Sequence, residues 1–182
     1  MHRFHLTIIA IAASMLSGCV LVEEPVTEGG QAETQQMASV FQPFRIDQCA
    51  TVAVAADGPG RRYRCRGFAD TPLFVSERHR SFDVDAGHDH GSRDAPPERR
   101  AVAPRLEWRL KNGNLIALIV RYETEAAADE NSGTISVETI GTARTAGCEI
   151  VRIDSARPDA AALARARADM LGIIDHVRDH GT

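Results

Sequence analysis

The chain has 182 residues and a formal net charge of −4, from 21 basic and 25 acidic residues. This weakly acidic balance argues against nucleic acid as a partner, because proteins that bind it present excess positive charge to the phosphates. With an N-terminal leader and a tether set aside, about 140 residues remain, which is enough for one domain with its own core.

The leader has the layout of a secretory signal. Arg3 precedes an apolar run of 11 residues, Leu6 to Leu16, which is too short for a helix that spans a bilayer core of about 30 Å. The run ends in Leu16-Ser17-Gly18-Cys19, which resembles the lipobox of bacterial lipoproteins. The resemblance implies cleavage after Gly18, a diacylglycerol on the Cys19 sulfur and a further acyl chain, such as palmitate, on its amine.

This resemblance also implies a location. Each buried acyl CH2 contributes about 0.8 kcal/mol, so the acyl chains on Cys19 would hold the protein to a membrane. Val20 follows the cysteine where the sorting rule of such lipoproteins has Asp for inner-membrane retention, which indicates the outer membrane, facing the periplasm. An uncleaved anchor and a secreted protein without lipid are the alternatives.

Residues 20–37 contain four Glu, two Gly, one Pro and no aromatic residue, which predicts a flexible tether with a reach of about 25 Å. We therefore divide the chain into a signal peptide (1–18), a lipidated Cys19 with its tether (19–37) and a single globular domain (38–182).

Short strands are predicted in the first half of the domain. The segments 50–55 and 61–68 flank DGPG (57–60), a turn signal, and predict a hairpin. PLFVS (72–76) and SFDVD (81–85) are further strand candidates. The segment 87–104 has three prolines and no periodicity, which predicts a mobile or functional loop.

A second hairpin follows, from RLEWRL (105–110) to LIALIVRY (115–122), with Asn112-Gly113 in a type I′ turn. Its predicted register pairs Leu110 with Leu115, Trp108 with Ala117 and Leu106 with Ile119, all on one face. Because residues 115–120 are apolar on both sides, we predict a central strand that is covered on both faces.

Two more strands (134–140 and 148–153) and a helix from about Pro158 complete the chain. A 3.6-residue period places Leu163, Met170, Leu171, Ile174 and Val177 toward the sheet, with Arg165, Asp169 and His176 pointing away. The pattern predicts an α+β fold, with an antiparallel sheet of about five to seven strands and one C-terminal helix packed on it.

The string EWRL–NG–ALIVRY, followed by a strand ending in IDSARPDAAALARA, resembles a group of small uncharacterised envelope proteins of alphaproteobacteria. The likeness covers about residues 105–168. It implies a compact periplasmic domain and adds no chemistry; Arg157 departs from the group's pattern, which has Asn there.

Three cysteines follow Cys19, and an oxidising compartment predicts a disulfide among them. Cys49 with Cys65 is favoured because the pair flanks the first hairpin. Such a bridge would contribute about 3 kcal/mol in the chain-entropy model. Pairing of Cys148 with either remains the alternative.

A metal site is predicted around FDVDAGHDHG (82–91). Two imidazoles with a carboxylate suit zinc or copper, and the candidate ligands are His79, Asp85, His88 and His90. The alternative is a solvated polar loop, and apart from zinc or copper we expect no cofactor.

The second arm of the first hairpin is strongly basic. Arg61, Arg62, Arg64 and Arg66 predict a surface for anionic headgroups, lipopolysaccharide phosphates or an acidic protein cleft. The alternative is the solvated face of a sheet.

The sequence contains no G-x-S-x-G, H-E-x-x-H or glycine-rich phosphate motif. We therefore expect a non-enzymatic, inhibitor-like module that binds an envelope protein or a wall polymer through a sheet face and the 87–104 loop. The alternatives are a metal-binding lipoprotein and an envelope hydrolase, which would join a histidine to Ser76, Ser81 or Cys148.

Overall fold

The computed structural model describes residues 35–54, 60–91, 99, 101–124 and 133–179, with helix side chains described as far as Gly172. The predicted signal peptide, Cys19 and nearly all of the tether lie outside these residues. The described strands and helix are β1 (Met37–Pro43), β2 (Ala50–Val54), β3 (Gly60–Cys65), β4 (Leu73–Arg78), β5 (Ser81–Gly87), β6 (Ala101–Val102), β7 (Arg105–Lys111), β8 (Asn114–Glu123), β9 (Gly133–Gly141), β10 (Glu149–Asp154) and α1 (Ala160–Asp179).

The predicted α+β class, with one C-terminal helix on a sheet, is confirmed. The described sheet has ten strands, more than the predicted five to seven. All eight strand segments named in the sequence belong to it, and β1 and the two-residue β6, which gave no recognisable pattern, add two more. No helix in the described part of the chain is both long and apolar enough to cross a membrane.

The strands follow the order β1-β7-β8-β9-β5-β4-β3-β2, with β10 beside β9 and β6 beside β8. Every pairing is antiparallel except that of β5 with β9. We call β2–β5 the first half of the sheet and the remaining strands the second half. Strand β9 pairs with β8 and β10 along most of its length and with β5 at its end, so it joins the two halves.

Glycines make this junction possible. Gly87 has φ = 98°, and a Cβ at this position would lie 2.1 Å from the carbonyl oxygen of Gly141. Since that separation is far below van der Waals contact and the left-handed conformation is costly for other residues, position 87 requires glycine.

The two halves pack face to face around an apolar core. Trp108 lies in it with no exposed surface, and its Nε1 donates to Gln42 Oε1 at 2.8 Å. The buried members of this core are Phe44, Cys65, Leu73, Val75, Val84, Ala86, Leu106, Trp108, Leu110, Leu118, Val120 and Tyr122.

A β-bulge corrects the predicted register of the second hairpin. Leu110 pairs with Leu115 as predicted, but Trp108 pairs with Leu118 and not with Ala117, because β8 holds one extra residue, Ile116. The bulge exchanges the two faces of β8 beyond it. As a result Leu118 joins Trp108 in the core between the halves, whereas Ala117 belongs to the core under the helix.

Helix α1 packs on the opposite face of the second half through small residues. Ala160, Ala164 and Ala168, spaced four apart, are buried. Their sheet partners are Ala117, Ile119, Ile135, Val137 and Ile153. The predicted stripe is therefore wrong at Met170, which is 45% exposed, while Leu163 and Leu171 are partly buried as flanking residues.

Two helix residues predicted to point away from the sheet instead contact it. Arg165 donates to Glu107 through two nitrogens, at 2.6 and 3.1 Å. Asp169 accepts from Arg109 at 2.6 and 2.8 Å. Because alanines bring the helix close to the sheet, long side chains beside them reach charged partners on β7.

The predicted disulfide is confirmed. Cys49, just before β2, is bonded to Cys65 at the end of β3, with the Cα atoms 4.4 Å apart. This bond excludes the alternative in which Cys148 pairs with either of them.

The helix interface generates the first testable prediction. Ala164→Leu inserts three carbons where Ala164 has no exposed surface, so we expect the free energy of unfolding in urea to fall by about 1–3 kcal/mol. Ala166→Leu, at an exposed position of the same helix, is the matched control and should change it by no more than about 0.5 kcal/mol. Equal effects of the two substitutions would contradict the alanine interface.

Candidate functional site

Arg99 lies buried between the two halves, with 1% of its surface exposed. Its Nη1 donates to Asp83 Oδ1 at 2.6 Å, and its Nη2 donates to Glu149 Oε2. Its guanidinium carbon lies 4.1 Å from the centre of the Tyr122 ring. We call Arg99 with Asp83, Glu149, Tyr122 and Ser136 the cross-sheet network, because the four members other than Arg99 come from β5, β8, β9 and β10.

Further hydrogen bonds close this network. Ser136 Oγ lies within hydrogen-bond distance of carboxylate oxygens of both Glu138 and Glu149, and its single hydrogen serves one of them at a time. Tyr122 Oη accepts from the backbone N–H of Val84 at 3.0 Å. These bonds compensate most of the buried charge, although Arg99 Nε and Glu138 Oε2 find no hydrogen-bond partner among the described residues.

The Tyr122 phenol is neutral at physiological pH. Burial raises its pKa well above the ordinary value, and the nearby carboxylates of Glu138 and Asp83 raise it further. Because the folded pKa exceeds the unfolded one, the stability linked to this phenol is complete below about pH 10 and is lost as the pH rises further. Tyr122 therefore contributes no charge to the cross-sheet network at neutral pH.

A second buried arginine organises the outer face of the first half. Arg62, only 5% exposed, donates to Ser76 Oγ and to Asp89 Oδ1, each at 2.6 Å, and lies 4.0 Å from Asp85. Desolvation alone would raise the pKa of Asp89, but the hydrogen bond from Gly91 N–H and the Arg62 charge outweigh it, so that the pKa is lowered.

This burial corrects part of the predicted basic surface. Arg61, Arg64 and Arg66 are exposed, as an anion-binding surface requires. Arg62 is not, because its guanidinium is held between Ser76 and Asp89 and stacks 5.1 Å from the Phe74 ring centre.

The predicted metal ligands do not converge on one point. His88 and His90 are neighbours, with ring centres 5.1 Å apart, and His90 Nε2 lies 2.6 Å from the Thr142 carbonyl oxygen. His79 lies in the turn before β5, whereas His88 follows its last residue, so the seven-residue strand separates them by about 20 Å. Asp85 is 8% exposed and faces Arg62.

A single ion therefore cannot bind all four predicted ligands. Among the described residues, no group of three or more His, Cys, Asp or Glu side chains is close enough to hold a metal. Of the four predicted ligands the structure places His88 and His90 side by side, and a metal site there stays a prediction.

The predicted hydrolytic arrangement has a similar difficulty. Ser81 begins β5, at the end of the strand opposite His88 and His90. Ser76 is 1% exposed, and its Oγ accepts from Arg62. Ser81 lies close to His79 along the chain but is only 3% exposed, so neither serine is open to an incoming substrate.

The structure also contains an open groove that the sequence did not indicate. It has a volume of about 520 Å³ and lies between the first turns of α1 and the ends of β1, β7 and β8. This volume is typical of sites for small molecules. Its apolar wall consists of Phe41, Ala103, Pro104, Ile119, Ile135 and Ala161.

Three arginines surround this wall. Arg105 and Arg165 flank the half-exposed ring of Phe41, with guanidinium carbons 4.6 and 5.9 Å from its centre. Arg121 projects from β8 into the same groove. Within the described part of the chain, neither Arg105 nor Arg121 pairs with a carboxylate. The groove therefore combines an apolar wall with uncompensated positive charge.

Glu107 is the carboxylate among the described lining residues, and its oxygens are already engaged. It accepts two hydrogen bonds from Arg165 and one from Ser39 Oγ, at 2.5 Å. Its charge is thus used to fix Arg165 against the sheet.

Comparisons with protein-family models, with curated proteins and with solved structures find no match to this chain. The groove and the cross-sheet network are therefore known from the structure of this chain alone. Sequence reasoning missed both: Ser136 and Glu138 alternate with apolar residues as on a solvated strand face, and Arg99 lies within a segment that lacks periodicity.

The cross-sheet network generates the second prediction. Arg99→Met removes the cation beside the buried Asp83 carboxylate and one of the two cations beside the partly exposed Glu149, which keeps Arg152, so we expect the free energy of unfolding to fall by about 3 kcal/mol. Arg66→Met, at an exposed position, is the matched control and should change it by no more than about 0.5 kcal/mol. Denaturant melts of both variants give the comparison, and a loss for Arg99→Met no larger than for the control would contradict the network.

Proposed function

We propose that this protein is a lipid-anchored envelope lipoprotein, tethered to the outer membrane through Cys19, which binds a partner and catalyses no reaction. The observation that carries the binding role is the composition of the groove. Its described lining residues supply apolar surface and guanidinium groups, and their one carboxylate is engaged by Arg165 and Ser39. Such a set can hold a ligand but offers neither a nucleophile nor a free base.

Two of the buried arginines support the same conclusion. Arg62 is held by Ser76 on β4 and by Asp89 just after β5. Arg99 is held by Asp83 on β5 and Glu149 on β10. Their role is to hold strands together, so the strongest buried charges of the described region serve the fold. The proposed partner is an envelope protein or a wall polymer.

The disulfide supports the proposed compartment. Bonds such as Cys49–Cys65 persist in oxidising compartments and are rare in the cytosol. The leader and the Leu16-Ser17-Gly18-Cys19 motif supply the remaining support for envelope attachment.

The anchor gives the third prediction. Cys19→Ser removes the sulfur to which lipid would be attached, so we expect the protein to lose its acyl mass and its cleavage after Gly18. Fractionation of cell envelopes with intact-mass analysis tests this. Ser14→Ala, a small change in the same leader, is the control and should remain lipidated. Wild-type protein that carries no lipid mass would contradict the anchor.

Crosslinking in intact envelopes tests the binding role. We expect one partner to be recovered reproducibly with the wild-type chain, and recovery of none across independent preparations would count against a binding module.

The histidine pair favours a second candidate function, metal binding. Two imidazoles with ring centres 5.1 Å apart are close enough to share one zinc or copper ion, with water or a further residue completing the coordination.

This candidate gives the fourth prediction. Titration of the full chain with zinc and with copper should show micromolar or tighter binding that the double substitution His88→Ala/His90→Ala abolishes. His79→Ala is the matched control, because its ring lies at the opposite end of β5, and it should leave the affinity unchanged. Millimolar affinity, or no loss in the double variant, would exclude the site.

A further inference from the structure

We propose that the groove beneath α1 binds an anionic amphiphile, that is, a lipid with a phosphate or carboxylate headgroup and an acyl chain. The inference rests on the proposed binding function and goes beyond it, because it assigns the groove a lipid ligand in addition to the envelope protein or wall polymer proposed above. It follows from three properties of the groove: its charge, its wall and the hydrogen-bonding capacity of its side chains.

The charge of the groove selects an anion. Arg165 is neutralised by Glu107, but Arg105 and Arg121 have no carboxylate partner within the described part of the chain. Guanidinium groups donate planar pairs of hydrogen bonds, which match phosphate and carboxylate oxygens. The first turn of α1, at Ala161, adds the positive end of the helix dipole to the same groove.

The wall of the groove requires an apolar tail. Ile119 and Ile135 form its floor on the sheet but are only 6% and 4% exposed, so the exposed apolar surface comes from Phe41, at 44%, with Pro104 and Ala161. An inorganic anion would leave this apolar surface in water. An acyl chain covers it, and each buried CH2 adds about 0.8 kcal/mol to binding.

The hydrogen-bonding capacity of the lining favours a lipid over a peptide. A peptide brings one N–H donor and one carbonyl acceptor per residue, and both need partners when they are buried. Arginine side chains only donate. The described lining side chains include no hydroxyl, amide or imidazole, and their one carboxylate, Glu107, is engaged. An acyl chain needs no such partners.

The test uses the purified full chain and octyl phosphate below its critical micelle concentration, followed by isothermal titration calorimetry. We expect saturable binding with one site per chain. Hexyl phosphate should bind several-fold more weakly, because two fewer CH2 groups are buried. Octyl glucoside, which has the same chain and no charge, and inorganic phosphate, which has no chain, should bind at least about tenfold more weakly than octyl phosphate.

Substitutions locate the site. Arg105→Gln with Arg121→Gln should weaken octyl phosphate binding about tenfold or more, since it removes both unpaired guanidinium groups. Arg167→Gln removes an exposed arginine of α1 that does not line the groove, and should leave the affinity unchanged. Ala161→Glu, at an exposed helix position, places a carboxylate in the groove without removing a contact, and should also abolish binding. Circular dichroism establishes that each variant is folded.

Several outcomes would overturn the proposal. Equal affinity for inorganic phosphate would reduce the site to an anion site, and equal affinity for octyl glucoside would reduce it to an apolar one. Unchanged binding in both the double arginine variant and Ala161→Glu would place the ligand elsewhere. A short acidic peptide that binds while octyl phosphate does not would identify a protein segment as the occupant. That last result, or a partner recovered by crosslinking, would leave the proposed binding function standing while the lipid inference fails.

Discussion

The fold depends on the burial of β8 on both faces. Leu118, Val120 and Tyr122 point into the core between the two halves, whereas Ala117 and Ile119 point toward α1. A strand with two apolar faces is stable only when both faces are covered. The ten residues of β8 therefore require the helix on one side and the first half of the sheet on the other. The Ile116 bulge sets which residue belongs to which layer, because it reverses the faces partway along the hairpin.

This layering explains why the interior contains buried charge. On the inner face of the second half, β7 and β8 carry apolar residues. The neighbouring strands β9 and β10 instead carry Ser136, Glu138 and Glu149 on that face. A carboxylate in that position needs a cation, and Arg99 provides one that also reaches Asp83 on the other half. Arg99 therefore holds together the part of the interface that apolar contact does not fill. The requirement is specific to arginine, whose forked guanidinium bonds two carboxylates at once.

The sequence predicted those features that depend on local pattern. The hairpin pairing at Leu110 and Leu115, the two-sided burial of β8, the Cys49–Cys65 bond and the C-terminal helix are all confirmed. The errors arise where tertiary contact decides between chemically similar options. Periodicity ranked Met170 above Ala164 as a core residue because it weighs hydrophobicity alone, but close approach of helix and sheet favours the smaller side chain. Likewise, His79 is near His88 along the chain, but the intervening strand keeps them apart.

The candidate site was unpredictable for a related reason. Its lining residues come from β1, β7, β8, β9 and α1, and each of them looks like an ordinary surface or core residue in its own segment. The sequence pattern instead indicated the basic strand and the histidine loop. One residue of each, Arg62 and Asp89, forms a hydrogen bond to the other within the fold.

The arginines of this protein fall into two groups, those that pair with carboxylates inside the fold and those that line the groove. Arg62, Arg99 and Arg109 are buried against carboxylates, so their charge is balanced within the fold. Among the described residues Arg105 and Arg121 have no such carboxylate, although they flank an apolar wall where an unpaired cation gains nothing for stability. Positive charge beside apolar surface, with no carboxylate partner among the residues that the structure describes, matches the proposed ligand, which is anionic at one end and apolar at the other. The acyl anchor proposed at Cys19 would hold the domain within about 25 Å of a membrane, where such molecules are present at high local concentration.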